Sequence, residues 1–260
     1  MDDNFEVIFQ HIPEESREDV KRILDIANIT ARRKTINVTD FFDPFTIDLF
    51  KSVLNRYDEL KYLEFGGYEN FEKSALIVYP DFLNDIDFTE YFSALKFEFP
   101  NESIRHKDIL GSIYGLGIDI SKIGDIYIVD DISYIVCKSE VEEYLLYNLI
   151  KIGRLKPKAS KINLADLPKR ITEYKYRDIS VNSLRLDTVV AGAFNLSRNV
   201  SKNMIDKGLV KLNHQTVTKA NYEVKKGDLI SARRKGRVLI NSEIGMSKKG
   251  RIRINLAYPI

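Results

Sequence analysis

The sequence predicts an α+β protein in three parts: a helical N-terminal domain over 1–72, an α/β central domain over 73–152 and a basic C-terminal domain over 180–260, with a connector over 153–179. Three observations carry this prediction. Charge divides at residue 150: residues 1–150 hold 15 Lys and Arg against 30 Asp and Glu, and residues 151–260 hold 25 against 8. The apolar spacing is helical over the first seventy residues and then switches to short strands and helices. Beyond residue 180, two short amphipathic helices lead into alternating strands. A chain of 260 residues, 44% of them hydrophobic, is long enough for two or three modest cores.

Each element has its own signal. Glu14-Glu15-Ser16 opens an acidic first turn after Pro13, and Val20, Ile23, Leu24 and Ala27 follow at helical spacing. Arg32-Arg33-Lys34 then suits the negative end of that helix dipole, with an RNA contact as the alternative. Thr46 to Asn55 is a second helix with Ile47, Phe50, Val53 and Leu54 on one side, and Gly66-Gly67 breaks the chain. In the central domain, Ala75–Tyr79 reads as a strand stopped by Pro80, and Leu95–Phe99 as one stopped by Pro100. His106 to Tyr114 is a helix closed by Gly115 and Gly117. Ile126–Val129 and Tyr134–Cys137 are strands joined at Asp130-Asp131, and Val141 to Ile150 is a final helix. A mixed sheet with helices on one face is expected, comparable to an RNA-recognition fold. Its acidic charge and the lack of a basic-aromatic segment favour a scaffold or protein-contact role over base stacking.

Gly153 to Lys158 reads as a hinge, and 160–178 as a connector with one strand around Ile171–Tyr174. In the C-terminal domain, Leu186, Val189, Val190 and Ala193 form the stripe of an amphipathic helix, flanked by a surface Arg185. Asp187 lies where it could hold a basic side chain. Ser197 caps a second helix, with Val200, Met204 and Ile205 inward, Arg198 and Lys202 one turn apart, and Gly208 as its stop. Val210 to Asn213 is a short strand, Lys225 to Asp228 a turn, and Leu229 to Arg233 the next strand. A rigid basic surface of this kind fits the phosphates of folded RNA, with Arg forks able to hold two phosphate oxygens. The candidate RNA-binding residues are Arg185, Arg198, Asn199, Lys202, Lys207, Lys211, Asn213, Lys219, Arg233, Arg234, Lys235 and Arg237.

Ser183 to Asp187, Leu196-Ser197-Arg198, Ile205 to Asn213 and Lys226-Gly227-Asp228 through Gly236-Arg237 resemble the RNA-binding domain named after ribosomal protein S4. Further segments resemble the YlmH family of Gram-positive bacteria: Thr39 to Pro44, Phe65 to Glu69, His106 to Gly111, Gly115 to Ile118 and Ile123 to Ile126. The resemblance covers nearly the whole chain. It implies a helical domain, an RNA-recognition-like domain and a C-terminal S4-like domain. It also implies a ribosome-associated quality-control factor that binds large-subunit rRNA and peptidyl-tRNA beside the alanine-tailing factor. Two departures stand out. The family commonly has a basic residue near Asp119-Ile120, where the nearest one here is Lys122, and the final hairpin reads Arg233-Arg234-Lys235 where the family pattern leads one to expect a glycine near Arg234.

Other functions find less support. A single cysteine, Cys137, and three histidines leave no intramolecular disulfide and no Cys/His zinc cluster, so neither cofactor nor metal is expected. The acidic start and the lack of an apolar run of about 20 residues point to a cytoplasmic protein without membrane contact, and a monomer is expected. Arg185-Leu186-Asp187 spells a pseudouridine-synthase motif inside the S4-like helix, where Asp187 is more simply an ion-pair partner. Gly245 to Lys249 echoes a synthetase nucleotide loop, but the partner His-x-Gly-His is missing. His106 and Asp108, at i and i+2, point apart on a helix. A non-enzymatic RNA binder is therefore expected. An RNA-modifying accessory is one alternative. The other is a cell-division-linked interaction protein docking through the acidic half.

Overall fold

The computed structural model describes residues 12, 14–68, 71–99, 104–170, 172–247 and 250–260. The acidic start, Pro13, Glu69, Pro100, Ile171, Lys248 and Lys249, and His11 among the three histidines, lie outside the described residues. The chain divides into two compact units, Met1–Arg170 and Ile171–Ile260.

In the first unit, helix α1 (Arg17–Arg33) buries Val20, Ile23, Ala27 and Thr30, while Leu24 is only partly covered. Helix α2 (Pro44–Leu54) starts on Asp43, whose carboxylate accepts the Thr46 N–H at 3.1 Å, with proline in its first turn. Both helices pack on a three-stranded antiparallel sheet of β1 (Asn37–Val38), β2 (Leu60–Phe65) and β3 (Ala75–Pro80), in the order β1-β3-β2. The helical N-terminal part thus carries a sheet that its apolar spacing did not announce. Strand β2 mixes polar with apolar residues and exposes half of them, Leu63 included, which blurs its alternation.

A second sheet follows, from β4 (Phe92–Glu98), helix α3 (His106–Gly115), β5 (Ile123–Val129), β6 (Ile132–Lys138), helix α4 (Ser139–Asn148) and β7 (Lys158–Ile162). Its order is β5-β6-β4-β7, all antiparallel, which is the split βαβ arrangement of RNA-recognition folds. The fourth strand, β7, lies in the stretch read from the sequence as connector. Asp130 and Asp131, both left-handed at φ 49° and 60°, form the two-residue turn between β5 and β6. One face of the sheet packs Leu95, Phe97, Ile135 and Cys137 under Ile109, Ile113, Leu145 and Leu149 of the helices.

The other face is also covered. Phe92, Ala94, Tyr127, Tyr134 and Val136 pack against Ala75, Ile77 and Tyr79 of β3, whose remaining residues Leu76 and Val78 lie under α1 and α2. Strand β3, expected to open the central sheet, is instead the middle strand of the N-terminal sheet. Burial on both faces explains its unbroken apolar run, which does not reveal to which sheet a strand belongs. Polar side chains bind the two sheets together. Lys138 donates to the Thr39 and Val38 carbonyls at 2.9 and 3.2 Å, and Asp125 accepts the Tyr68 hydroxyl and the Glu72 and Lys73 N–H groups. Gly124 allows the close approach: a Cβ there would lie 2.8 Å from the Phe41 ring.

The second unit is one six-stranded antiparallel sheet with two helices on one face. Its elements are β8 (Tyr174–Val181), α5 (Leu186–Ala193), α6 (Arg198–Asp206), β9 (Val210–Leu212), β10 (Gln215–Thr216), β11 (Leu229–Ala232), β12 (Gly236–Met246) and β13 (Ile252–Pro259). The order is β10-β9-β11-β12-β13-β8. Leu186, Val189, Val190, Ala193 and Ile205 of the helices meet Val210, Leu212, Ile230, Val238, Ile240, Ile254 and Leu256 of the sheet. The last carbonyls of α5 are closed by β8 and β13. Arg177 donates to Gly192 and Ala193 at 2.7 and 2.9 Å, and the Tyr258 hydroxyl to Ala193 at 2.7 Å. The long β12–β13 hairpin was not assigned from the sequence, because two register shifts interrupt its alternation.

Candidate nucleic-acid interface

The interface is built around a buried carboxylate. Asp187, in the first turn of α5, accepts Nε and Nη2 of Arg185 at 3.1 and 3.0 Å and Nε of Arg198 at 3.1 Å. Its side chain is almost fully buried, whereas the Arg185 and Arg198 side chains are 39% and 60% exposed. Burial alone would push this carboxyl up; the two guanidinium groups outweigh it and hold it below the usual carboxylate range. The same contact raises Arg185 further. A buried anion thus holds two cationic forks at the surface, with N–H edges left for an outside acceptor.

Neighbouring elements complete this cluster. The Asp187 main chain accepts the Ser201 hydroxyl at 2.7 Å, which fixes α6 against α5. The Asp187 N–H donates to the Ala220 carbonyl at 3.0 Å, which brings in the loop carrying exposed Lys219. Ser197 caps α6 by accepting the Val200 N–H at 3.3 Å. Asn199 and Lys202 are exposed on that helix. One inward assignment needs correction: Val200 is 47% exposed, and Ser201 takes the buried position beside Ile205. A hydroxyl that finds a carbonyl acceptor can occupy an apolar face, which spacing of apolar letters alone overlooks.

The other candidates do not join this cluster. Lys207 caps the far end of α6, about 13 Å along its axis from Arg198. There the Leu209 carbonyl accepts the Arg233 N–H at 2.9 Å, so Lys207 lies toward the Arg233-Arg234-Lys235 loop. Lys211 and Arg237 are both paired in register with Ser231 and face away from the helices, because Val210, Leu212 and Val238 beside them fill the core. Asn213 forms a two-residue turn with His214, both left-handed, and its side chain is engaged within the fold. It donates to Asp228 and accepts the Leu229 N–H. Arg234 has φ 62°, a conformation that favours glycine, in the turn near which the family pattern leads one to expect one.

The remaining sequence signals resolve into structural contacts. Asp108 pairs with Arg105 at 2.8 and 3.1 Å, at the start of α3. Cys137 is buried and its thiol is pushed up to about 12 by burial, far from a reactive thiolate. Among the described residues no group of three or more His, Cys, Asp and Glu could hold a metal ion. No described helix is long and apolar enough to cross a membrane. Phe92, Tyr127 and Tyr134, on the sheet face that RNA-recognition folds use for stacking, are buried under β3.

The chain is similar to known proteins along most of its length. Three sequence-family models match: "YlmH, N-terminal" over residues 15–93, "Putative RNA-binding domain in YlmH" over 84–166, and "S4 domain" over 184–230. Strands β4 to β7 all fall within the second match. A curated protein of Bacillus subtilis, "Ribosome-associated protein quality control protein P2", is 27% identical over 249 residues, covering 95% of this chain and 96% of its own. Among solved structures, "Cell division protein ylmH from Streptococcus pneumoniae" is similar in fold. Its TM-score is 0.53 at 21% identity, over 60% of this chain and 96% of that one.

Proposed function

This chain belongs to the YlmH family of S4-domain RNA-binding proteins, and on that premise we propose that it binds the large ribosomal subunit in the rescue of stalled translation. Its ligands would be rRNA and peptidyl-tRNA, its setting the cytoplasm beside the alanine-tailing factor, and its role binding without a reaction of its own. The observation that carries this reading is the pair of arginines held by buried Asp187 at the start of α5 and α6. Arg185, Arg198, Asn199, Lys202 and Lys219 would engage phosphates there, with the Lys207 and Arg233–Lys235 end as a second contact. Two orientated guanidinium forks suit the bidentate geometry of phosphate, and a folded RNA presents phosphates at fixed spacing. The quality-control role comes from the Bacillus subtilis relative and is a property of that protein.

The test is sedimentation with purified large subunits, with and without peptidyl-tRNA, across a salt series. Preferential binding to tRNA-bearing subunits, lost as salt rises and with Lys202→Ala/Lys219→Ala, is expected. Equal binding to both kinds of subunit would remove the peptidyl-tRNA element. No binding to either would overturn the ribosomal reading.

A further inference from the structure

The second unit has a face that the S4-like helices do not use. Residues of β8 alternate: Ile179 and Val181 pack into the core and Arg177 reaches the helix ends, so Tyr174, Tyr176 and Asp178 lie on the opposite side of the sheet. The tyrosines are 38% and 58% exposed, with ring centroids 6.4 Å apart. Strand register carries this outer face across the sheet in two rows. Tyr176 pairs with Ala257, Ala257 with Leu239 and Leu239 with Leu229, which makes one aromatic and apolar row in which Ala257 is buried and the two leucines are half-buried. Arg237 pairs with Ser231 and Ser231 with Lys211, which makes a basic row beside it. The rows lie two residues apart along the strands, about 6–7 Å; the apolar row crosses β8 to β11, about 14 Å, and the basic row crosses β12 to β9, about 10 Å. The acid on this face, Asp178, is met by Arg253 at 3.4 Å and Asn255 at 2.7 Å.

We propose that this outer sheet face binds single-stranded RNA, bases against the Tyr176–Leu239–Leu229 row and phosphates along the Arg237–Lys211 row. The proposal rests on the RNA-binding reading above and adds to it a contact different in kind. The helix side offers forks for the backbone of folded RNA; this face offers ring and apolar surfaces, which every base can stack on when unpaired. A duplex hides its base faces, so the occupant is a single strand. On β12 and β11 the two rows run side by side, about 6–7 Å apart, and the tyrosines flank them on β8. Excess positive charge distinguishes the face from an ordinary protein-docking sheet.

The test uses the full chain and two labelled probes, an unstructured oligoribonucleotide of about eight nucleotides and a blunt RNA hairpin. Tyr174→Ala/Tyr176→Ala should weaken the single strand about tenfold or more and leave the hairpin unchanged. Tyr174→Phe/Tyr176→Phe should hold both affinities within about twofold, since stacking needs the ring and not the hydroxyl. The salt dependence of single-strand binding should not change in either variant, because no cation is removed. As a measurement independent of any variant's folding, a 4-thiouridine oligonucleotide should crosslink to the wild-type peptide containing Tyr174 and Tyr176. Unchanged single-strand affinity in the alanine variant, or crosslinks confined to the helix side, overturns the proposal while leaving the folded-RNA reading intact. A parent chain that binds neither probe overturns both. A face that crosslinks to ribosomal proteins and to no oligonucleotide would be a protein contact, and the proposal would fail.

Discussion

At the scale of single residues, Asp187 decides the proposed interface. Counted by charge alone, removing an anion from a basic surface should strengthen RNA binding. The geometry requires the reverse, because Arg185 and Arg198 take their orientation from that carboxylate. Asp187→Asn is therefore expected to weaken rRNA binding severalfold and to cost about 1–3 kcal/mol of stability, measured by filter binding and denaturant unfolding. Tighter binding in that variant would show that orientation is immaterial. The same residue sets a pH dependence. Its pKa is depressed in the folded state, so its stabilisation is present above about pH 4 and is lost as acid titrates it through the lower folded value. Asp187→Asn should flatten that acid limb. Arg234 is the opposite kind of case, a charged residue in a left-handed conformation. Arg234→Gly should leave stability equal or raise it by up to about 1 kcal/mol in thermal unfolding, whereas Arg234→Val should lower it.

At the scale of elements, α6 was legible because its ends are chemically marked. Ser197 caps it, and Gly208 closes it with the Leu209 N–H on the Met204 carbonyl and its own N–H on Ile205. Gly208 has φ 66°, and a Cβ there would meet Thr216 at 3.3 Å. Gly208→Ala should thus cost about 1 kcal/mol or more by chemical denaturation. The strands were less legible. Ala75–Pro80 has the composition of any strand buried on both faces, and nothing local shows that its partners are Asn37–Val38 and Leu60–Phe65. Lys158–Ile162 and Tyr174–Val181 are edge strands of mixed polarity, and the sequence presents them as linker.

At the scale of the whole molecule, the charge division is legible to within about twenty residues of the boundary between the compact units at Arg170. Within the first unit, β3 makes two layers depend on one strand. Ile77→Ala, at the contact with the central sheet, should cost about 2–5 kcal/mol and leave rRNA affinity of the folded protein unchanged. Loss of RNA binding in a folded Ile77→Ala protein would show that the covered sheet participates. For the second unit, binding should fall steeply between 50 and 200 mM salt, and Lys202→Ala should reduce the slope by about one.

The sequence by itself determined the class, the order of the C-terminal helices and their caps, and the basic composition of the proposed interface. These are local properties, written in spacing, capping residues and charge. The segments that carried the family resemblance were also legible, but not their role. Thr39–Phe42, Gly67-Tyr68 and Gly124-Asp125 form the seam between the two sheets of the first unit, where Phe41 meets Gly124 and Tyr68 meets Asp125. Only tertiary structure decided three matters: which sheet owns β3, that the central sheet's stacking face is closed, and that the candidate cations divide between two faces of one sheet. Each depends on pairing between residues far apart in the chain, and strand pairing leaves no trace in the spacing of either partner alone.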